Sequence, residues 1–425
     1  MKVSLICCPF KTSFGSYASA LKCAIERKTG DKVQWVGTNC GCQDPVEVRR
    51  DFEAKECDYF ELPILVDFRS NTAWKRKVRG AARSVQTARK AKKYAELSQG
   101  ADVVHFQQIL NAFGSKAVFS WLRQTTQKQT TQRQPSKAVR VVTVHELDSD
   151  QMEAPATNLT YNRADAVIAH CEEMRQQLIK LGVQPQKVHV VLHGTDLPLI
   201  DPNQKREGLV FYGGHKLMSG KGIESLFKAL AIIQKQLGDL TPKLTIHGHF
   251  GPVTPEAGKK LAEENGVSHL IVWANQISDD QIMSLYQKSA VCVLPYTGSF
   301  AGQPASFAAA TALPVVCTRK AGLPDHLGDS AIYVDENPDG QVDPNKTQQL
   351  AARILELLQS ETLRQQVGAR LRARAEKLLG WDTIAEQTLR IYRGQSANEE
   401  SAQGASITGT QNTKKAKAAE VAAVS

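Results

Sequence analysis

Short apolar runs rich in β-branched residues alternate with helical stretches along this chain, in two successive series. The first series of runs occupies residues 2–9, 32–37, 101–106, 139–145, 164–169 and 187–192. The second occupies 209–212, 244–247, 270–273, 290–295, 315–318 and 331–334. Continuous apolar strands suit a parallel sheet buried on both faces, and the intervening helices supply the cover. Between the series the chain turns polar over 199–206, with Pro198, Asp201, Pro202 and Asn203 marking a linker. The pattern predicts an α/β chain of two Rossmann-like doubly wound domains facing across a cleft, 1–200 and 201–380. A helix at 381–395 and a tail at 396–425 follow. The tail is rich in Ala, Gly, Ser, Thr, Gln and Lys and is expected to be disordered.

With 425 residues there is room for two such domains. No apolar run approaches the roughly 18 residues of a membrane span, and residues 1–9 read as a first strand rather than a signal peptide. A cytoplasmic location is expected. The nine cysteines lack paired zinc spacing, so no metal is expected, and Cys40 and Cys42 form a weak redox or metal pattern. The net charge of +10 is local. Ten of the 53 basic residues fall between Arg69 and Lys93, where no acid occurs, and the rest of the chain is balanced. They sit on an amphipathic helix at 74–96, whose apolar stripe is Trp74, Val78, Ala81, Val85 and Ala88. Two readings stand: a peripheral contact with anionic lipid or a polyanionic acceptor, or the solvated outer face of a Rossmann helix. Nucleic acid is not expected, because no aromatic residues are interleaved with the charge.

The chemistry-bearing stretch is 289–325: a buried strand, a small-residue loop at 296–302, an Ala-rich helix near Pro304 and a second strand. Such a loop lies at the carboxyl end of a parallel strand, where ligands bind, and a helix N-terminus suits an anion. No Asp or Glu occurs between Ser289 and Leu323. A second loop, YGGHKLMSGKG from Tyr212 to Gly222, follows a strand and opens a helix. Lys216 and Lys221 lie five apart across that turn. They are either a clamp for a diphosphate or two solvated lysines. The loop at 11–17, KTSFGSY, holds Gly15 and serves either close ligand approach or an ordinary turn. His105, His145 and His193 fall at strand ends, and one of the three is expected to be a site residue.

Several stretches together resemble the retaining GT-B glycosyltransferases of family 4 (glycosyl transferases group 1). Residues 164–196, ADAVIAHCEEMRQQLIKLGVQPQKVHVVLHGTD, resemble ADxVIxHSExxRxxLxxxGxxxxKVxVIPxGxD. HKLMSGKGIESLFKAL at 215–230 is similar to GRLxxxKGxxxLLxAL, ISDDQIMSLYQKSAVCVLPY at 277–296 to VSDEELxxLYxxADVFVLPS, and ALPVVCTRKAGLPDHLGD at 312–329 to GLPVIxTxxGGxPEVIGD. WDTIAEQTLRIYR at 381–393 resembles a closing WxxIAEQTLxxYR.

The resemblance implies a GT-B fold with an acceptor-side domain at 1–200 and a nucleotide-sugar domain at 201–380. Its last helix would cross back onto the first domain. It implies a UDP- or GDP-sugar donor, no cofactor, metal-independent transfer of a hexosyl group to a glycan, lipid or small-molecule acceptor, and retention. Lys216 and Lys221 fall at the diphosphate-binding pair, and His145 at the cleft histidine beside the donor sugar. Gly15 falls at the N-terminal glycine loop, and Gly214 in the donor loop. Gly298, Ser299, Phe300, Ala301 and Gly302 fall around the donor sugar. The chain departs from the family at its Glu-x7-Glu pair, where it carries Ser299 and Phe307. In the family the first acid contacts the sugar and the second the ribose. A charged hydrogen bond of that kind is worth about 1.5–3 kcal/mol. A second reading is therefore a GT-B-fold glycan- or partner-binding protein without donor chemistry. A sugar-nucleotide epimerase on the same fold is a third.

Overall fold

All described strand pairs are parallel, and they form two sheets. A computed structural model describes residues 1–7, 13–38, 58–60, 96, 100–107, 138–145, 147, 161–214, 220–248, 254–275, 277–298, 302–334 and 344–397. The first sheet is built from β1 (Val3–Cys7), β2 (Val33–Thr38), β3 (Asp58–Phe60), β4 (Val103–Gln107), β5 (Val139–Val144), β6 (Ala166–Ala169) and β7 (Val188–Val190). Its order is β3-β2-β1-β4-β5-β6-β7. The second sheet holds β8 (Leu209–Tyr212), β9 (Leu244–Gly248), β10 (Ile271–Asn275), β11 (Val291–Leu294), β12 (Val315–Thr318) and β13 (Ile332–Val334), in the order β10-β9-β8-β11-β12-β13. Strand order reverses direction at β1/β4 and at β8/β11. Those are the switch points where open sheets of this kind place their ligands.

Every residue of β4, β6, β11 and β12 is buried, as expected of strands covered on both faces. In the first sheet the side chains divide by alternation. Leu5, Val103 and Val141 join one core with α1 (Ser13–Thr29), while Ile6, Val104 and Val142 join another on the opposite face with α2 (Glu172–Lys180). The second sheet is wrapped by α3 (Ile223–Leu237), α4 (Thr254–Glu264), α5 (Asp279–Lys288), α6 (Gln303–Ala310), α7 (Leu323–Leu327), α8 (Pro344–Gln359) and α9 (Glu361–Leu378).

The final helix, α10 (Trp381–Tyr392), leaves the second unit and packs on α1. Trp381, Ile384, Ala385, Leu389 and Tyr392 join the core of the first sheet. Burying five such side chains outweighs the two surface ion pairs along the seam, Arg27–Asp382 at 3.0 Å and Lys28–Glu386 at 3.1 Å. The outgoing and returning segments meet where Thr195 N donates to Leu379 O at 2.9 Å. Gly194 is required at that crossing, because a Cβ there would lie 2.6 Å from the Trp381 ring.

Two local expectations are corrected. Residues 13–17 are not loop: α1 begins at Ser13, so Gly15 lies within its first turn and is buried. The helix takes in the SFGSY end of the polar KTSFGSY stretch because Tyr17 and Leu21 face the core from the same side of α1. His105 is also not at a strand end but inside β4. Of the basic stretch 74–96 only Glu96 lies among the described residues, and the tail lies outside them after residue 397.

Candidate functional site

The second unit brings two loops together above the ends of β8 and β11. Gly220 O accepts hydrogen bonds from the backbone amides of Thr297 and Gly298, both at 2.9 Å. The loop before α3 and the loop before α6 are therefore stitched main chain to main chain. Gly222 caps α3 at φ 72° and lies so close to Pro295 that a Cβ would overlap the Pro295 carbonyl oxygen. Only glycine fits both the left-handed backbone and the contact. Gly214, at φ 59°, closes the turn after β8 against the Tyr212 ring.

Lys221 occupies the junction. It is 4% exposed, and its ammonium lies 4.2 Å from the Tyr296 ring centroid and 5.1 Å from that of Tyr212. Aromatic faces attract a cation and hold it where water is scarce. The helix that follows, α3, directs its N-terminus to the same place, which adds to the positive potential. Tyr296 is fixed in turn by Thr318 Oγ1, which donates to Tyr296 O at 2.7 Å.

Across the junction between the units, the segment after β7 is pinned by α6 and α7. Ser306 Oγ donates to His193 O at 2.8 Å. His193 N donates to His326 Nε2 at 3.0 Å, and His326 Nδ1–H donates to Gly322 O at 2.7 Å. Gly302, the left-handed cap of α6 at φ 89°, packs directly on the His326 ring. Asp325 Oδ2 accepts from Glu172 N at 3.3 Å, and burial pushes its carboxyl up.

On the first unit, successive strand ends carry His145 after β5, His170 after β6 and His193 after β7. With Trp381 these rings surround Tyr17, at centroid distances of 4.9, 5.0, 4.9 and 5.2 Å for His145, His170, His193 and Trp381. His145 Nδ1 lies 3.0 Å from His170 Nε2, and His145 Nε2 lies 2.9 Å from the Gln107 side-chain amide. Burial lowers every imidazole here: His105 to about 3, His170 to about 4, and His145 and His193 well below the ordinary histidine value. All four are neutral at pH 7. Among the described residues no group of three or more His, Cys, Asp or Glu side chains is arranged to hold a metal ion.

The family model for Glycosyltransferase Family 4 matches residues 30–198, and that for Glycosyl transferases group 1 matches residues 206–360. Each model covers less than half of the chain, one on each unit, and together they mark it as similar to these glycosyltransferases. The MMP alpha-(1->4)-mannosyltransferase of Mycolicibacterium hassiacum is 28% identical over 223 residues, 51% of this chain and 50% of that protein. A D-inositol 3-phosphate glycosyltransferase of Thermomonospora curvata is 27% identical over 285 residues, 61% of each chain. The match thus spans half to three fifths of these relatives' own lengths. The structure of Anabaena HepE in complex with UDP and glucose aligns with a TM-score of 0.67 at 14% identity, covering 93% of this chain and 100% of that one. That likeness shows the fold.

Within the glycosyltransferase frame, Gly214, Lys221, Gly298 and Gly302 gather around the two stitched loops, while Gly15 and His145 belong to the facing unit. Lys216, Ser299, Phe300 and Ala301 lie outside the described residues. Phe307, at the second family acid position, is half-buried and meets Tyr286 edge to face, with ring centroids 5.8 Å apart. Its side chain belongs to the packing of the second core. Reasoning from the sequence missed Gln107, His170, Tyr17 and Tyr296. His170 carried a signal, since it follows an apolar run as His145 does. Gln107 and Tyr17 carried none.

Proposed function

We propose that this chain is a retaining glycosyltransferase. It moves a hexosyl group from a nucleoside diphosphate sugar, UDP- or GDP-linked, to a hydroxyl of a glycan, lipid or small-molecule acceptor. The observation that carries this reading is Lys221: a buried cation, braced by two aromatic rings, where two glycine loops and a helix N-terminus converge. In the reaction the bond from C1 to the diphosphate oxygen breaks and its electron pair stays on that oxygen. The acceptor oxygen bonds to C1 from the same face and its proton is released. Lys221 and Lys216 balance the charge gathering on the diphosphate, and the loop from Gly298 to Gly302, with Ser299, Phe300 and Ala301, holds the sugar. Preset positive charge at that point lowers the barrier without reorganisation. His145 lines the facing wall as a neutral group. The basic segment at 74–96 supplies contact with an anionic lipid surface or acceptor.

Incubation with UDP-, GDP- and ADP-sugars tests the reading. At least one should raise the melting temperature and be slowly hydrolysed without acceptor. No response to any of them would overturn it.

A further inference from the structure

A set of side chains buried behind His145 is joined from the crossover helix to the sheet of the first unit. Tyr392 Oη on α10 lies 2.7 Å from His105 Nδ1. His105 Nε2 lies 2.7 Å from Thr143 Oγ1 and 3.3 Å from the Gln107 amide. The Gln107 amide reaches His145, His145 reaches His170, and His170 Nδ1 lies 2.9 Å from Val191 O.

One backbone atom sets the direction of the whole chain. Val191 O only accepts, so His170 carries its proton on Nδ1 and its Nε2 is a lone pair. His145 must then donate from Nδ1, which leaves its Nε2 as the acceptor. With the Gln107 amide oxygen facing that nitrogen at 2.9 Å, two acceptors meet. The contact is satisfied only if the amide nitrogen faces His145, an assignment left open by heavy-atom positions alone. The Gln107 oxygen then faces His105 Nε2, which carries the proton and shares it with Thr143. His105 Nδ1 is left to accept from the Tyr392 hydroxyl.

We infer that this one-way relay, from Tyr392 to Val191, is a positioning device. It fixes His145 as the neutral tautomer protonated on Nδ1, with the Nε2 lone pair held by Gln107. Tyr392, His105, Gln107 and His170 act through His145 and touch no substrate. Both ring nitrogens of His145 are spent on this task, so it serves the reaction as a fixed wall and not as a proton carrier. The relay also makes the orientation of His145 depend on the docking of α10, the segment returning from the donor-side unit. The functional part of this inference rests on the glycosyltransferase reading; the tautomer does not.

Nitrogen NMR of the full chain labelled on histidine tests it, with the His145 signals identified by their loss in His145→Asn. At pH 7 His145 should show a protonated Nδ1 and an unprotonated Nε2. In His170→Phe the acceptor for Nδ1–H is gone, and the proton should move to Nε2 as the Gln107 amide turns over. A His145 protonated on Nε2, or on both nitrogens, in the unmodified protein would overturn the relay whether or not turnover has been detected. With a donor in hand, Gln107→Leu and Tyr392→Phe should lower kcat on the order of tenfold to a hundredfold, the range for displaced site groups. Their KM for the donor should be little changed, and melting curves would confirm that both variants are folded. Unchanged kcat in both folded variants would remove the positioning role and leave only the tautomer.

Discussion

The ammonium of Lys221 lies 4.2 Å from the centroid of the Tyr296 ring, and both residues are almost fully removed from solvent. The lysine comes from the loop before α3 and the tyrosine from the end of β11. Their contact therefore records how firmly the two loops are joined. Lys221→Met keeps the length and packing of the stem while removing the charge. It should weaken nucleoside diphosphate binding by about 1.5–3 kcal/mol, the range for a hydrogen bond to a charged group. Titration calorimetry with UDP and GDP measures this. Equal affinity in the variant would place the anion elsewhere.

Gly222→Ala should act on both fold and site. The backbone there is left-handed at φ 72°, and the added methyl overlaps the Pro295 carbonyl oxygen. The loop can relieve that overlap only by moving away from β11, which shifts Lys221 with it. A destabilisation of at least about 1–3 kcal/mol is expected, seen in denaturant unfolding, together with loss of diphosphate binding. Gly238→Ala is the control: its backbone is also left-handed, but nothing lies within 4 Å of an added Cβ. It should lose stability without losing ligand.

Phe307→Ala separates packing from recognition. The ring is half-buried against Tyr286 and carries no polar atom. Truncation should cost about 1–3 kcal/mol of stability, below the range for fully buried phenylalanines. Donor affinity should stay within about threefold, since under 0.7 kcal/mol is at stake. A large loss of affinity at an unchanged melting temperature would instead mean that the ring stacks on the ligand.

Acid should destabilise the fold earlier than carboxylate titration alone would. The folded-state values of His105, His170 and His326 are about 3, 4 and 4, and His145 and His193 also lie well below the ordinary value of 6.5. Burial is the leading cause in each. The unfolded chain binds protons at these sites near pH 6.5, while the folded chain does so only near pH 4 or below at His105, His170 and His326, and well below 6.5 at His145 and His193. Stability is therefore fully present above about pH 7 and falls as the pH drops from 6.5 toward 4. Each histidine contributes a slope approaching 1.4 kcal/mol per pH unit. Melting temperatures measured from pH 8 to 5 should be flat at first and then drop steeply. A flat profile throughout would mean that these imidazoles are charged or solvated.

Two doubly wound halves, a lysine in a glycine loop and the glycosyltransferase motifs were legible in the sequence. Each is local: a run of apolar residues, or a motif within one continuous stretch of chain. The start of α1 was misplaced because polar residues at 11–17 look like loop until Tyr17 is seen packed among distant rings. Phe307 was legible as a departure from the family, but only the structure shows it spent on packing with Tyr286.

By itself, then, the sequence determined the succession of strands and helices and picked out the two glycine-bearing loops that the structure joins through Gly220. Hydrophobic period and turn chemistry act between neighbours, and such features survive in one dimension. Tertiary structure alone decided the ring cluster around Tyr17 and the relay behind His145. His105 and Tyr392 are 287 positions apart, and they meet at 2.7 Å because α10 returns to the first sheet. Gln107, His145 and His170 share one edge because parallel register places the ends of β4, β5 and β6 side by side. No spacing in the chain encodes that adjacency. It arises from strand pairing and from the burial that strips these imidazoles of water, so that among the described residues they bond to one another, Gln107, Thr143, Tyr392 and the Val191 carbonyl.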